Sequence, residues 1–280
     1  MDVKDYRKAY EAELAAGAPA DAQASLSANA ALGVAHDADL AQTIPALLAT
    51  LGDAAKPIST RVAALKAISA RRFLGDQFAP YRVDFLNMLR QIAQPGIDPQ
   101  LCARALAILA AEKDSAAQDL LRRGLQQPQS ALVPAATALH LLGFDDHANL
   151  AELARDVFQK TTELAAKEAA LRVLATDAKS QDLFAQLLTD KAQPRSLRAL
   201  SATGLNLLNP QRFAELAQNI VKDHSDFEDI RASALGALVD TPLHQVVRDN
   251  AGLLDEIKNL SAQTPLTNLR AAAGRFLAKH

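Results

Sequence analysis

The sequence predicts an all-α fold, an α-α superhelix of about seven helical hairpins plus a degenerate N-terminal capping unit. Three observations lead there. A small residue followed by two apolar ones, at the third, fourth and seventh positions after an anchor, recurs seven times. A second apolar helical stripe lies upstream of each anchor and advances in step with it. No stretch alternates apolar and polar residues for long enough to argue for a strand. A period of this length is how stacked helix pairs show themselves in sequence, each pair burying its apolar faces against its neighbours.

The units follow in order. Residues 1–38 read as the degenerate capping repeat, with Val3, Tyr6, Tyr10 and Leu14 on its first helix. Ala31, Leu32 and Ala35 follow its anchor at Ala28. End units depart from the pattern because one face meets water. Residues 39–280 hold the seven repeats. The first four are anchored at Arg61 (Ala64, Leu65, Ile68), Cys102 (Ala105, Leu106, Leu109), Ala135 (Ala138, Leu139, Leu142) and Lys167 (Ala170, Leu171, Leu174). Arg198 (Ser201, Ala202, Leu205), Arg231 (Ala234, Leu235, Leu238) and Arg270 (Ala273, Gly274, Leu277) anchor the rest. The anchors step by 41, 33, 32, 31, 33 and 39 residues. The upstream stripes end at Leu51, Ile92, Leu125, Phe158, Leu188, Val221 and Leu260, stepping by 41, 33, 33, 30, 33 and 39. Two helices per unit, moving together, make a helix–turn–helix repeat, and the 41-residue step marks an insertion or bend.

Turn chemistry supports the segmentation. Asp98-Pro99, Asn209-Pro210, Thr241-Pro242 and Thr264-Pro265 each set a capping side chain before a proline. The side-chain oxygen accepts an orphan N–H, and proline at the first helical position lacks a donor that had no partner anyway. With 49% hydrophobic but only 4% aromatic residues, the core is mostly Leu and Ala. The sequence contains no Gly/Ser-rich linker, so residues 1–280 read as a single elongated domain.

Compartment follows from less. The start, Met1-Asp2-Val3-Lys4-Asp5, has no signal-peptide apolar core, and no 18-residue uncharged span occurs. The expectation is a cytoplasmic protein with no membrane partner. One cysteine, Cys102, allows no internal disulfide. Its place at a repeat anchor within an apolar helix reads as a buried structural thiol.

These repeat residues resemble the HEAT-repeat family, including the related helical repeats of phycobiliprotein lyases. The resemblance covers roughly Thr43 to Lys279. It implies a ladder of turn aspartates and second-helix arginines between repeats. Asp53 and Arg61, Asp190 and Arg198, and Asp223 and Arg231 share an eight-residue offset that matches such a ladder. The repeats at Cys102, Ala135 and Lys167 depart from it. Such charges read as structural pairs that set the stacking register. The family is shared by scaffolds, transport receptors and a few enzymes, so it implies architecture more than function. The iron-binding hydroxylases of this class use His-Glu dipeptides. None of His36, His140, His147, His224 or His244 precedes a Glu, which argues against that activity. A related class of DNA glycosylases uses a basic face with tryptophans. A net charge of −2 and no Trp argue against nucleic acid as a partner.

Two clusters carry possible site chemistry. His140, Asp145, Asp146 and His147 fall within eight residues, enough in principle for a divalent ion. Their spacing does not match known ligand pairs, and Asp145-Asp146 reads as a turn and helix cap. Neither a metal nor a cofactor is expected. The second cluster runs from Arg71 to Arg90. Phe73, Phe78, Tyr81 and Phe85, four of only twelve aromatics (nine Phe and three Tyr), stand there beside Arg71, Arg72, Arg82 and Arg90. Residues 61–125 carry ten Lys/Arg against six Asp/Glu, while residues 1–60 carry four against eight. Aromatic and Arg side chains are the usual anchors of protein interfaces. Arg71, Arg72, Phe78, Tyr81 and Arg82 are therefore candidate partner contacts. The competing reading is that the aromatics plug a packing irregularity while the arginines are solvated.

In the family's geometry second helices line the concave face. One and five residues after the anchors stand Val62 and Lys66, Ala103 and Ala107, Ala136 and His140, Glu168 and Arg172, Ala199 and Thr203, Ala232 and Gly236. This row is mostly small, and it adds His140 and Arg172 to the candidate contacts. It holds no convergent acid, base and nucleophile. The sequence therefore reads as a non-catalytic scaffold or adaptor that binds a protein or peptide partner. The alternative is an auxiliary enzyme role, as a lyase-like chaperone of a prosthetic group or the helical accessory module of a larger enzyme.

Overall fold

The computed structural model describes residues 40–145, 149–240, 250–262 and 267–279. The capping repeat, Thr241-Pro242 and Thr264-Pro265 lie outside the described residues. Within them are fourteen α-helices, numbered α1–α14 in chain order, four short 3-10 turns and no strand. The chain forms two compact units that part between Leu120 and Leu121.

In the first unit α1 (Leu40–Gly52) packs on α2 (Ile58–Arg71), and α3 (Arg82–Ile92) on α4 (Pro99–Ala111). The boundary falls inside α5 (Ser115–Gln126). The second unit continues with α6 (Ala135–Leu142), α7 (Ala151–Lys160), α8 (Leu164–Leu174), α9 (Gln181–Thr189) and α10 (Arg195–Leu208). It closes with α11 (Pro210–Lys222), α12 (Glu228–Asp240), α13 (Ala251–Ala262) and α14 (Asn268–Lys279). Helices α7 and α8, α9 and α10, α11 and α12, and α13 and α14 pack pairwise, and α6, α8, α10, α12 and α14 also pack in succession.

Burial follows the repeat. Ala64, Ala105, Ala170 and Ala234 are fully buried, as are Ile68, Leu106, Leu174 and Leu235. A larger side chain at these buried small positions has to displace packed neighbours. Ala170→Leu and Ala234→Leu should each cost about 1–3 kcal/mol, read from urea unfolding midpoints at unchanged slope. At Gly204 on α10 the approach is tighter still, since a Cβ would lie 2.8 Å from the Phe184 ring. Cys102 is buried as expected, and burial pushes its thiol pKa up.

The last repeat is shifted. Leu269, Ala272, Ala273 and Phe276 are buried, whereas Gly274 is exposed and Leu277 is 36% exposed. The larger Phe276 takes the stripe, moving the register back by one residue from Gly274 and Leu277. The two predicted caps that fall among the described residues form. Asp98 Oδ1 accepts from Gln100 N and Leu101 N, and Asn209 Oδ1 accepts from Arg212 N.

The charge ladder has different rungs from those its spacing suggests. Asp53, Asp190 and Asp223 close their own turns by accepting from Ala55 N, Ala192 N and Ser225 N at 2.9, 2.9 and 3.0 Å. The arginines reach ten residues back instead of eight. Nε of Arg61, Arg198 and Arg231 donates to the carbonyl oxygens of Leu51, Leu188 and Val221 at 2.8, 2.9 and 3.0 Å. Those carbonyls end the first helix of each hairpin and have no intrahelical donor. Arg198 and Arg231 then extend forward to acids of the next hairpin, Asp226 and Glu256. Asp190 is held below its ordinary value by hydrogen bonds from Gln193 and Ala192, with the Arg198 charge adding to them.

Among the described residues the Asp223 carboxyl is shifted furthest. Hydrogen bonds from Lys191 and Ser225 hold it at about 2 instead of 3.8. A carboxylate depressed by folding binds protons more tightly in the unfolded chain. Its contribution is therefore complete above the ordinary value and disappears as pH falls toward 2. The melting temperature of Asp223→Asn should lie below wild type at neutral pH and converge with it in that acid window.

Candidate functional site

The extra chain of the 41-residue step forms two 3-10 turns between α2 and α3, Arg72–Gln77 and Ala79–Tyr81. Gly75 turns the first of them at φ 59° and ψ −121°, a backbone that side-chain-bearing residues rarely adopt. Nothing lies within 4 Å of where its Cβ would be, so the constraint is conformational rather than spatial. Gly75→Ala should cost about 1–3 kcal/mol, measured by urea denaturation.

The bulge is clamped from the turn after α4. That turn winds through Lys113 at φ 56°, and Asp114 N donates back to Leu109 O at 3.0 Å. This is the helix-ending geometry that usually employs glycine at the left-handed position. It presents two carboxylates side by side. Glu112 accepts from both Arg72, at 3.2 Å, and Arg82. Asp114 accepts from Arg90 through Nε at 3.0 Å and Nη2 at 2.6 Å, while its other oxygen caps Ala117 N. Burial pushes the Asp114 carboxyl up, but the hydrogen bonds from Arg90 and Ala117 and the Arg90 charge outweigh it and hold the group low.

The aromatics divide. Phe78 and Phe85 are core residues, 2% and 0% exposed, meeting edge-to-face at 5.9 Å. Tyr81 is half-buried beside Phe78 at 6.4 Å. Phe78 therefore fills space under the bulge and is withdrawn as a contact residue. Arg72 and Arg82 hold the bulge in place through Glu112, and neither is merely solvated. Arg71 donates to Ala67 O at 3.0 Å within its own helix. The large apolar side chains that face outward here are Phe73 at 81% exposure, Val83 at 66% and Leu74 at 43%. The Arg72 guanidinium lies 5.5 Å from the Phe73 ring centre. Of these three outward residues only Phe73 belongs to the aromatic cluster legible in the sequence, and none is among the candidate contacts that cluster suggests.

His140 and Arg172 stand on the same groove. Both line a groove of about 1070 Å³ walled by α6 and α8, as do Glu168 and Asp177, and His140 is exposed. His140 stacks edge-on against Phe144 at 5.2 Å, and Arg172 reaches Glu168 one turn back at 3.7 Å. Of the acid and histidine cluster considered for a metal, Asp146 and His147 lie outside the described residues. No group of three metal-ligating side chains stands among the described residues. No described helix is long and apolar enough to cross a membrane. Comparison with protein-family models and with curated proteins finds no match to this chain.

Proposed function

We propose that this protein is a non-catalytic scaffold or adaptor, a cytoplasmic α-solenoid of HEAT-like hairpins that binds a protein partner. One observation carries the reading. The most exposed large apolar side chain among the described residues, Phe73, sits with Leu74 and Val83 on or beside an inserted bulge clamped by Arg72, Arg82 and Glu112. Exposed apolar groups on a rigid support lose little conformational entropy on docking, which is what an interface anchor requires. The Asp–Arg spacing and the recurring arginine-to-carbonyl bond support the HEAT-like assignment, since Arg61, Arg198 and Arg231 make the same contact.

The test is a photo-reactive phenylalanine at position 73 in the full chain, irradiated in cells of the native organism. A discrete crosslinked partner, absent when the same group replaces exposed Lys258 and lost with Val83→Ser, is expected. Equal labelling at both sites, or none at 73, would overturn the reading.

A further inference from the structure

We infer that a pocket at the start of α6 binds the guanidinium of an arginine carried by a peptide, completing a ladder rung that this chain leaves without its donor. The pocket lies wholly in the second unit and shares no residue with the Phe73 bulge. It therefore extends the binding reading above without resting on it.

The intact rungs supply the template. Arg198 donates through Nε to Leu188 O, ten residues back, at 2.9 Å. Its two Nη atoms reach Asp226, 28 residues on, at 2.6 Å each. At the α6 anchor the same register gives Ala135, with Leu125 ten residues back and Glu163 28 residues on. The register holds, because Ala138, Leu139 and Leu142 are buried as the stripe requires. Leu125, Ala135 and Glu163 all line one pocket of about 570 Å³. Both acceptor positions of a rung are thus kept around a missing donor.

Local structure makes the space. Helices α2, α10 and α12 begin three residues before their anchors, whereas α6 begins at Ala135 itself. In place of that first turn run Leu132, Val133 and Pro134, which line the pocket with apolar surface.

Neither acceptor is engaged by the described residues. The other two hairpins that lack the arginine satisfy the corresponding carbonyl through the backbone. Gln94 N donates to Ile92 O at 2.8 Å, and Thr161 N donates to Val157 O at 2.9 Å. The Leu125 carbonyl ends α5 and receives no such donor among the described residues. The Glu163 carboxylate makes no ion pair there either, and it does not cap α8. The remaining charges of the lining, Asp156 and Lys160, pair with each other at 2.7 Å. One uncompensated negative charge is left, which suits a single cation.

The acceptor set selects a guanidinium over an ammonium. A rung takes one donor to a carbonyl and a pair to a carboxylate, and the planar fork of arginine offers both in fixed geometry. Its aliphatic stem matches the apolar wall. An arginine within a peptide brings that stem without the α-carboxylate of the free amino acid, which the negative lining opposes.

The experiment is a chemical-shift titration of the full chain with Nα-acetylarginine methylamide, its lysine and citrulline counterparts, and free arginine. The blocked arginine should bind at least about tenfold more tightly than the lysine or citrulline probe. Tighter binding of free arginine would overturn a peptide as the source. Glu163→Ala should weaken the blocked arginine by about tenfold or more at unchanged melting temperature, since the side chain is exposed and caps nothing. Ala135→Arg should restore the rung from within, abolishing binding and raising the melting temperature by about 2 °C or more. Ala135→Met, of similar reach but uncharged, should raise it less. Equal binding of the three blocked probes, full affinity in Glu163→Ala, or no advantage of Arg over Met at position 135 would overturn the inference. If Ala135→Arg unfolds, Glu163→Ala decides alone. None of these outcomes bears on crosslinking at position 73.

Discussion

Asp226→Ala is expected to lower unfolding free energy by about 3–5 kcal/mol, the largest single-residue effect tied to the ladder. Both partners of that rung are desolvated, the Arg198 and Asp226 side chains each retaining 2% exposure. The pair is bidentate, with both Nη–Oδ distances at 2.6 Å, and Asp226 Oδ1 also accepts from Phe227 N at 2.8 Å. Removing the carboxylate leaves a buried guanidinium that retains only its Nε bond to Leu188 O. A guanidinium does not deprotonate, so the charge stays buried, with only the Asp190 charge to offset its desolvation. Replacing both partners by apolar residues, Arg198→Met with Asp226→Leu, removes that problem. It should recover to within about 2 kcal/mol of wild type, the remainder being the orphaned Leu188 carbonyl. Urea titrations of the two variants and wild type separate these cases. A loss under about 1 kcal/mol for Asp226→Ala would mean that water reaches the pair and that the ladder is a surface feature.

The repeat was legible because burial has a period, and hydrophobic side chains report that period directly. Ala64, Leu65 and Ile68, or Ala170, Leu171 and Leu174, occupy the core positions their spacing requires. The rungs were not legible, because their acceptors are backbone carbonyls, and every residue has one. Asp190 and Arg198 pass for a pair in sequence while the guanidinium bonds the Leu188 carbonyl and then Asp226, 28 residues on. At the C-terminus Gly274 and Leu277 satisfied the pattern as written, but Phe276 and Ala272 satisfy it one residue earlier with more apolar area. Periodicity alone does not choose between two registers that both fit. Volume does.

The candidate site was half legible for a related reason. Composition and the long step identified the Arg71–Arg90 segment, and the second-helix row identified His140 and Arg172, which share one groove. Which way each aromatic points depends on the bulge backbone, and that depends on Gly75 and the carboxylates of Glu112 and Asp114, 24 to 40 residues beyond the arginines they bind. A contact across such a separation leaves no local trace. In sequence the arginines of this stretch outnumber its two acids, Asp76 and Asp84, whereas in the fold Glu112 pairs with Arg72 and Arg82 and Asp114 with Arg90.

Phe78→Ala and Phe73→Ala should therefore have opposite consequences although the residues lie five apart in the same turn-rich segment. Phe78 is 2% exposed and touches Phe85 and Tyr81, so truncation leaves a cavity and strips an aromatic contact. The expected cost is about 3–5 kcal/mol, at the upper end if the bulge cannot collapse onto the void. Phe73 is 81% exposed, and its truncation should change stability by no more than about 0.5 kcal/mol. Binding should show the reverse pattern. Phe73→Ala should abolish partner capture through the bulge at unchanged melting temperature, while Phe78→Ala should weaken it only as far as the fold loosens. Urea unfolding, together with crosslinking through a photo-reactive group at position 83, measures both quantities on the same variants. If Phe73→Ala destabilises the protein as much as Phe78→Ala, its ring is a packing element. The exposed trio of Phe73, Leu74 and Val83 then loses its claim to be an interface.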